Sequence, residues 1–505
     1  MSENASSPIE QLSAADWQKT PESVKHLAKT LVVRIEQLER QCEELKAENQ
    51  LLPEQVNQNS QNSSKPPSQD VGKGFKPKAH SKVGKKRGGQ PGHEGHERFL
   101  YPIEDCASVE EYYPVGCWRC GEALQGDDPK PHRVQIVELP EVVPLIHEHR
   151  FDQLECERCG AWTRAWSEEI INGSGYGERI VAHVALLSGL YRQSHRMVQQ
   201  LLSELFGIEM SVGSINRLRM EASDAVRSPA IQAWDYVQAQ ANVNIDETSF
   251  AQGNGDGSNP TGSKGWLWVI ATPLVSYFAV FLSRSQAVAG QLLGEGFKGI
   301  VNSDRFSAYS WLEVGQRQIC WAHLKRDFTQ MAERSGISSE LGNALLEQEQ
   351  LLFEHWYRVR DGTLSRTQFI TIVAPIRQQV QTLLCQAAEL DISEHEKTPL
   401  AKTVRTCRQL LKLEPALWTF VTTVGIEPTN NAAERALRPA VLWRKNSFGS
   451  QSLAGSLFVA RMLTVVTTLR AQNRPVLDYL IHACRAARLG KLAPSLLPAD
   501  IFIAC

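Results

Sequence analysis

Apolar residues recur at heptad spacing in the N-terminal segment 21–56. Leucines occupy every seventh position there, and a second, more mixed series precedes them by three positions. Such a repeat is typical of a coiled-coil helix with leucine at the d positions. The leucines are Leu31, Leu38, Leu45 and Leu52, and the second series is Ala28, Ile35, Cys42 and Asn49. We predict a self-associating helix; the alternative is an amphipathic helix lying on its own domain.

Polar sequence without periodicity flanks this helix, in segments 1–20 and 57–100. Neither segment can bury a core, so both are predicted to be disordered when alone. Between Lys65 and Arg87, eight basic residues stand against the single acid Asp70. A flexible cationic arm of this kind binds DNA phosphates without sequence preference; the alternative is a solvated linker. The candidate DNA contacts in the arm are Lys85, Lys86 and Arg87.

Two C-x-x-C pairs lie in segment 101–167, among runs with the composition of short strands at 132–140 and 142–151. Two such pairs can close a tetrahedral four-thiolate zinc site. Thirty-five residues separate the pairs, more than is usual for zinc sites, and a pair of strands would account for the gap. The alternatives are a redox dithiol or four buried thiols. The expected ligands of one structural Zn²⁺ are Cys117, Cys120, Cys156 and Cys159.

Segment 168–235 has the pattern of helices. A helix followed by the turn GIEMSVGSI and a second helix opening near Ser214 resembles a helix-turn-helix. A generic helical connector fits almost as well. We therefore predict a helical DNA-binding segment.

Strand and helix patterns then alternate in segment 236–330. Three strands, a helix, a strand, a helix at RFSAYSWLE and a strand at RQICWAHL form the order of a ribonuclease-H-like mixed sheet. Residues 266–283 carry no charge over a length at which a membrane span must be considered. Pro273 near the middle, with Trp, Val, Ile and aromatic residues on both sides, favours two buried strands joined by a turn.

Helical patterns fill segment 331–425, which we predict to be an all-helical insertion. The core should resume at 426–490, and 491–505 should be a C-terminal tail. Together the patterns predict a multidomain α+β protein: a coiled coil, a zinc-ribbon-like module, a helix-turn-helix-like segment and a ribonuclease-H-like α/β core with its insertion.

Composition narrows the class of protein but not its partner. With 505 residues and 42% hydrophobic residues, the chain can build several cores. A net charge of −2 gives no indication about nucleic acid. The N-terminus lacks the basic-then-apolar pattern of a signal peptide. We therefore expect a soluble, cytoplasmic protein whose cysteines are reduced thiols or metal ligands.

Three acids stand where a divalent metal centre could form. Asp246 ends one apolar strand run, Asp304 ends another, and Glu434 lies on a helix-like run. Each alone is commonly a cap, a turn residue or a solvated face. Together they could hold two divalent ions, which activate the attacking hydroxyl and stabilise the leaving oxygen of a phosphodiester. Asn430 and Asn431 most simply cap the helix that carries Glu434, and Asn431 is also a candidate DNA contact.

The motifs NIDET, VNSDRFSAY, CWAHLKRDF, TNNAAERALRP and RKNSFGS, in this order, resemble the insertion-sequence-sixty-six family of bacterial transposases. The resemblance covers about residues 25–480, and 429–449 is its most specific part. It implies an Asp-Asp-Glu triad of Asp246, Asp304 and Glu434 on a ribonuclease-H-like core with two Mg²⁺ (or Mn²⁺) ions. It also implies that Cys320 and His323 lie near the active site, without making them ligands.

We therefore expect a bacterial, nucleoid-associated DNA transposase that cuts the ends of an insertion sequence and joins them to target DNA. Its partners would be double-stranded DNA, other copies of itself and accessory proteins encoded by the same element, with no membrane. Two rival interpretations are a nuclease without strand transfer and a zinc-dependent DNA-binding regulator with an inactive core. The candidate contacts to the phosphates of the cut strand are Arg438, Arg444 and Lys445.

Overall fold

The N-terminal part of the chain is helical. The computed structural model describes residues 14–59, 62, 99–167, 170 and 174–498. A short helix, α1 (Ala14–Lys19), precedes the long helix α2 (Glu22–Asn57). The heptad segment is thus one helix, as its period predicts. The prediction of disorder for 1–20 is wrong at α1, where Ala, Gln and Lys are good helix formers.

The apolar seam of α2 faces solvent in the single chain. Leu31, Ile35 and Leu38 are 52%, 49% and 48% exposed. The side chains of Leu45 and Leu52 lie outside the described residues, as do Lys85, Lys86 and Arg87 of the basic arm. Self-association and DNA contact by these segments stay predictions.

Residues 99–167 contain little regular structure. The two strands of this described range, β1 (Gln153–Glu155) and β2 (Trp162–Arg164), pair antiparallel around the second cysteine pair. The strands predicted at 132–140 and 142–151 do not form. Side chains there, such as Ile136 and Ile146 at 90% and 87% exposed, have no second layer among the described residues against which a sheet could pack.

The next segment is helical but divided differently from the prediction. Its helices are α3 (Glu178–Gly189), α4 (His195–Phe206), α5 (Val212–Ala225) and α6 (Arg227–Gln238). The expected first helix is broken between α3 and α4, where Arg192 has φ 59° and Ser194 accepts the N–H of Met197 to cap α4. The predicted turn before α5 does form, and Ser211 caps that helix.

A mixed sheet lies at the centre of residues 174–498, within which five strands pair in the order β5-β4-β3-β6-β7. Strand β3 is antiparallel to β4, and β4 to β5, whereas β3–β6 and β6–β7 are parallel. The uncharged run 266–283 forms the β4–β5 hairpin, as predicted. The strands are β3 (Asn242–Ser249), β4 (Trp266–Ala271), β5 (Ser276–Phe281), β6 (Ile300–Ser303) and β7 (Arg317–Ile319).

The connections within the sheet are short. The helix predicted between β5 and β6 is α7 (Gln286–Leu293). The helix predicted at RFSAYSWLE is reduced to a single 3₁₀ turn, Ser307–Tyr309. The strand predicted for RQICWAHL is confirmed for β7 alone, because Cys320 instead caps a helix, α8 (Trp321–Ala332).

An all-helical block begins at α8, where helices are predicted from residue 331 onwards, and it contains its own core. Its largest buried side chains include Trp321, Phe328, Phe369 and Phe420. The remaining helices of the block are α9 (Ile337–Arg360), α10 (Arg366–Ala388), α11 (Pro399–Lys412), α12 (Glu414–Leu417) and α13 (Thr419–Thr422). The block connects to the sheet through β7, against which α12 and α13 pack.

The chain then returns to the sheet as α14 (Asn431–Ser447), α15 (Leu453–Ala471) and α16 (Val476–Arg488). Helix α14 packs on β3 and β4, and α15 packs on the edge strand β5. Thr464 and Thr468 of α15 accept the backbone N–H groups of Phe278 and Ser276 at 3.0 and 3.1 Å. The helix thereby covers an edge that would otherwise be free to pair with another strand.

One described helix, α15, has the length and mean hydropathy, 1.3, that a membrane span requires. Most of that helix is buried inside the protein, where it packs on β5. A core helix passes the same test of length and composition, so its apolar character is explained by this packing.

Candidate active site

Strand register places two of the three predicted acids side by side. Asn244 on β3 is the parallel partner of Asn302 on β6. Asp246 follows two residues later on the same face of β3, because side chains alternate along a strand. Asp304 lies one residue beyond the end of β6, and its charge raises the pKa of Asp246, so the two carboxylates are close. The Asp304 carboxylate accepts the N–H of Phe306 at 2.9 Å, which fixes the turn that follows β6.

The loop before α14 delivers the third acid to the same place. Asn430 donates its side-chain N–H to the carbonyl of Ile245 on β3 at 2.8 Å. Asn302 on β6 donates to the carbonyls of Glu427 and Thr429 at 2.8 and 3.1 Å. The loop is thus bonded to both aspartate-bearing strands, and Glu434 follows in the first turn of α14.

The predicted capping role of the asparagines is wrong. Asn430 is the N-cap residue, but within the described residues its side chain makes no capping hydrogen bond. Its side-chain N–H is bonded to β3, and its Oδ1, the atom that would cap the helix, has no partner among the described residues. Asn431 is the first residue of the helix and is exposed. The exposed position leaves its predicted DNA contact open as a prediction.

Asp246 is repelled by the other two acids. Burial raises the pKa of Asp246 well above its usual range, and the negative charges of Glu247, Asp304 and Glu434 raise it further. A hydrogen bond from the N–H of Glu247 to Asp246 opposes this effect. Desolvated like charges are costly unless a proton or a cation compensates them.

Cys320 and His323 adjoin Glu434, as the resemblance implied. The Cys320 sulfur and one ligand atom each of His323 and Glu434 all lie within 4.8 Å of one another. Burial lowers the pKa of His323 and raises the pKa of the Cys320 thiol to about 11. Without a bound cation, a neutral imidazole and a protonated thiol therefore face the carboxylate.

A hydrogen-bond network behind the aspartates was not found by sequence reasoning. The Glu247 carboxylate accepts hydrogen bonds from Arg284 at 2.6 Å and from the Tyr309 hydroxyl at 2.5 Å. The Arg284 guanidinium lies over the Phe306 ring at 3.6 Å. Glu247 directly follows Asp246, and Phe306 and Tyr309 follow Asp304 closely. The network therefore ties together the two backbone segments that carry the aspartates.

Tyr309→Phe is expected to raise the Mg²⁺ concentration needed for half-maximal DNA cleavage and to lower stability by about 1–3 kcal/mol, because a buried oxygen of Glu247 loses its donor. Thermal unfolding and a Mg²⁺ titration of cleavage measure the two effects. The matched control is Tyr479→Phe, which removes a buried hydroxyl bonded at 2.7 Å to the carbonyl of Pro494. If the two variants need the same Mg²⁺ concentration, the network has no role in positioning the aspartates.

The residues present fit hard divalent cations. Oε1 of Glu434 is buried and has no hydrogen-bond partner among the described residues. Two aspartates and this glutamate offer the oxygen ligands that Mg²⁺ prefers. Their ligand oxygens do not all lie within 4.8 Å of one another. Among the described residues, the ligand atoms of Cys320, His323 and Glu434 do. Asp246, Asp304 and Glu434 are the residues that would hold magnesium.

The predicted phosphate-binding cations of α14 differ in their surroundings. Arg438 and Lys445 project from α14 and are exposed, which leaves them available to phosphates. Arg444 instead donates hydrogen bonds from one guanidinium nitrogen to Thr248 and Ser249 at the end of β3. The C-terminal part of α14 is thereby anchored to the end of β3, and the predicted phosphate contact of Arg444 would have to use its remaining N–H groups.

A close backbone approach completes this anchor. Gly449 has φ 114°, and a Cβ atom there would lie 2.1 Å from the carbonyl oxygen of Ala251. Ser450 donates its N–H to that carbonyl at 2.9 Å. Only glycine fits this position, which gives a physical reason for the glycine in RKNSFGS.

The two C-x-x-C pairs each fold as a knuckle but lie apart. The pKa of Cys117 is lowered by hydrogen bonds from the N–H groups of Arg119 and Cys120. The pKa of Cys156 is lowered by those of Cys159 and Arg158. Within the described residues, no three of the four sulfurs come within 4.8 Å of one another. The lowered pKa values favour the thiolate form, which is the form that binds metals, and the four-thiolate site stays a prediction.

The region that contains the sheet and the three acids matches a known protein family. Residues 173–457 match the model of the "Transposase IS66 family", which is more than half of the chain. The chain belongs to the IS66 transposase family. The match contains the sheet, the helical block and all three acids, and it ends within α15.

Two further matches extend beyond this region. Residues 9–99 match a family of unknown function, DUF6444. The uncharacterized protein y4qI of Sinorhizobium fredii (strain NBRC 101917 / NGR234) is 26% identical over 415 residues, which cover 77% of this chain and 72% of y4qI. The resemblance drawn from the motifs is thereby confirmed at the level of the family.

Proposed function

We propose that this IS66 family member is an Asp-Asp-Glu transposase that cuts DNA at the ends of an insertion sequence and joins the cut ends to target DNA. The observation that carries the proposal is the meeting of Asp246, Asp304 and Glu434 at one edge of the sheet, close enough for mutual repulsion. The strand order, an antiparallel trio extended by two parallel strands, supports a ribonuclease-H-like core.

The chain's own residues would act by holding and orienting the DNA. When bound, two magnesium ions supply activation of the attacking hydroxyl and stabilisation of the leaving oxygen. Asp246, Asp304 and Glu434 hold the ions, and the exposed Arg438 and Lys445 orient the scissile strand by its phosphates. Hydrolysis frees a 3′-hydroxyl at the element end. That hydroxyl attacks a target phosphodiester, and the target's 3′ oxygen leaves.

A strand-transfer assay tests this proposal. Full-length protein is incubated with Mg²⁺, a labelled duplex carrying the flanking element end, and a supercoiled target plasmid. Labelled end joined to plasmid is the expected product. Cutting without joining would favour the nuclease, and end binding without cutting in Mg²⁺ or Mn²⁺ would favour the regulator.

Self-association through α2 is expected to depend on its seam. Replacing Leu31 and Leu38 by Ala should lower the molar mass measured by light scattering, because half-exposed leucines at d positions are buried only in a paired helix. Val33 is also exposed, at 58%, but lies off the seam, so Val33→Ala is the control. A double variant with the wild-type mass would remove the seam from the assembly.

The basic arm is expected to set the salt dependence of DNA binding. Changing Lys85, Lys86 and Arg87 to Ala should lower the slope of log affinity against log salt by up to about three, at about 0.9 for each lost phosphate contact. Affinity should fall equally for element ends and random duplexes. The control removes three exposed lysines elsewhere, Lys397, Lys412 and Lys491. An unchanged slope in the arm variant would identify the arm as a linker.

A further inference from the structure

Cys320, His323 and Glu434 form a ligand set of a different chemical kind from the three acids. The set contains a sulfur, an imidazole nitrogen and a carboxylate oxygen, all within 4.8 Å of one another. Magnesium selects oxygen ligands, whereas imidazole and thiolate select zinc and other borderline or soft metals. The three side chains come from one short stretch, the start of α8, and from the first turn of α14.

Two atoms of this set face each other without a hydrogen bond between them. Nδ1 of His323 and Oε1 of Glu434 are 3.7 Å apart, too far for a hydrogen bond. Both atoms are buried and have no hydrogen-bond partner among the described residues. Two facing polar atoms without partners are unfavourable in a buried site. A metal ion bound to both lone pairs would remove this cost.

The third ligand is held by the loop that precedes Glu434. The Cys320 sulfur accepts the backbone N–H of Asn430 at 3.1 Å, and the Cys320 carbonyl accepts the N–H of His323 at 3.1 Å. Cys320 and His323 thus lie on one tight turn, and the sulfur is joined to the segment that carries Glu434. The thiol must lose its proton to bind a metal, so binding would release a proton.

We propose that Cys320, His323 and Glu434 bind a zinc ion, and that this ion removes Glu434 from the magnesium-binding set. Zinc bound here and magnesium bound by the three acids then exclude each other, because both need Glu434. Zinc would act as a reversible inhibitor held within the active site. The inhibitory part rests on the proposed function, whereas the binding part does not.

Zinc content tests the binding part without requiring activity. Full-length wild type, Cys320→Ser and His323→Gln are dialysed against low micromolar Zn²⁺ with excess Mg²⁺, and zinc per chain is measured by elemental analysis. Wild type should hold one equivalent more than either variant, since loss of a ligand weakens binding by about 100-fold or more. This difference is independent of the C-x-x-C pairs, which all samples share.

Cys484→Ser is the matched control, because Cys484 is a buried thiol on α16, outside the ligand set. It should keep the wild-type zinc content, and thermal unfolding verifies that each variant is folded. If Cys320→Ser does not fold, His323→Gln decides alone. Equal zinc in wild type and His323→Gln would overturn the proposal.

Cleavage assays separate the two proposals. Zinc added at fixed Mg²⁺ should inhibit cleavage by the wild type. Each protein's rate is normalised to its own rate without zinc. The zinc concentration that halves this rate should be at least about tenfold higher for Cys320→Ser than for wild type. A wild type that binds the extra zinc but never cuts DNA refutes the proposed function alone. A wild type that cuts DNA but binds no extra zinc refutes the zinc site alone.

Discussion

Replacing Asp246, Asp304 or Glu434 by the matching amide is expected to reduce DNA cleavage by roughly 10³-fold or more, because bound metal contributes several kcal/mol to such reactions and each 1.4 kcal/mol is a factor of ten. The amide keeps the size of the side chain but lacks the charge that holds a divalent cation. Cleavage of labelled element-end duplex, followed over time in Mg²⁺, is the measurement.

Folding and DNA binding should survive these changes. An acid whose pKa is raised in the folded state destabilises that state at any pH where the unfolded chain is ionised. The pKa of Asp246 is raised by burial and by neighbouring acids, so Asp246→Asn should unfold at the same temperature as wild type or higher at neutral pH without metal. Added Mg²⁺ should then stabilise wild type but not the variant.

The control for amide substitution is Asp235→Asn, at an exposed position on α6. It should cleave like wild type and keep the Mg²⁺-dependent increase in unfolding temperature. Full cleavage by any one of the three amide variants, with normal folding, would exclude that residue from the triad.

Replacing Cys117 and Cys156 together by Ser is expected to remove the structural zinc entirely and to expose segment 99–167 to proteases. The short strands there bury little apolar surface, so metal must supply much of the folding energy. Zinc per chain by elemental analysis and the rate of limited proteolysis measure the two effects. Chelation of wild type should reproduce the protease sensitivity.

Cys106→Ser is the matched control, since Cys106 lies in the same segment outside the two pairs and its sulfur is bonded to the carbonyl of Pro102 at 3.4 Å. It should keep the wild-type zinc content and protease resistance. If reduced wild-type protein contains no more zinc than the double variant, the two pairs do not form a zinc site. The proposed zinc at Cys320 is common to all these proteins and cancels from the comparison.

Local patterns were sufficient for much of the fold. The heptad period predicted α2, and the uncharged run divided at Pro273 predicted the β4–β5 hairpin. Apolar runs before Asp246 and Asp304 predicted strands that carry the two acids, although Asp246 lies within β3 and only Asp304 follows the end of its strand. These features depend on periodicity and on apolar runs, which neighbouring residues encode.

Other local expectations did not hold, because packing opposed them. Runs such as 132–140 have the composition of strands, yet they find no second layer and stay irregular. The first helix of the segment 174–226 is broken at Arg192, since a left-handed residue there turns the chain toward α4. Asn430 has the chemistry of a helix cap, but β3 lies close enough to take its side-chain hydrogen bond.

The sequence by itself determined the family and the three acids of the candidate site, because both depend on residue types in a fixed order. Only the tertiary structure showed that Glu247 is bonded to Tyr309, which is 62 positions away in the chain. It also showed that Cys320 is bonded to Asn430, which is 110 positions away and lies in the loop before Glu434. Contacts across such distances leave no periodic signal in the chain. They are fixed by which strands pair and which loop packs on them, so the surroundings of the acids became visible only in three dimensions.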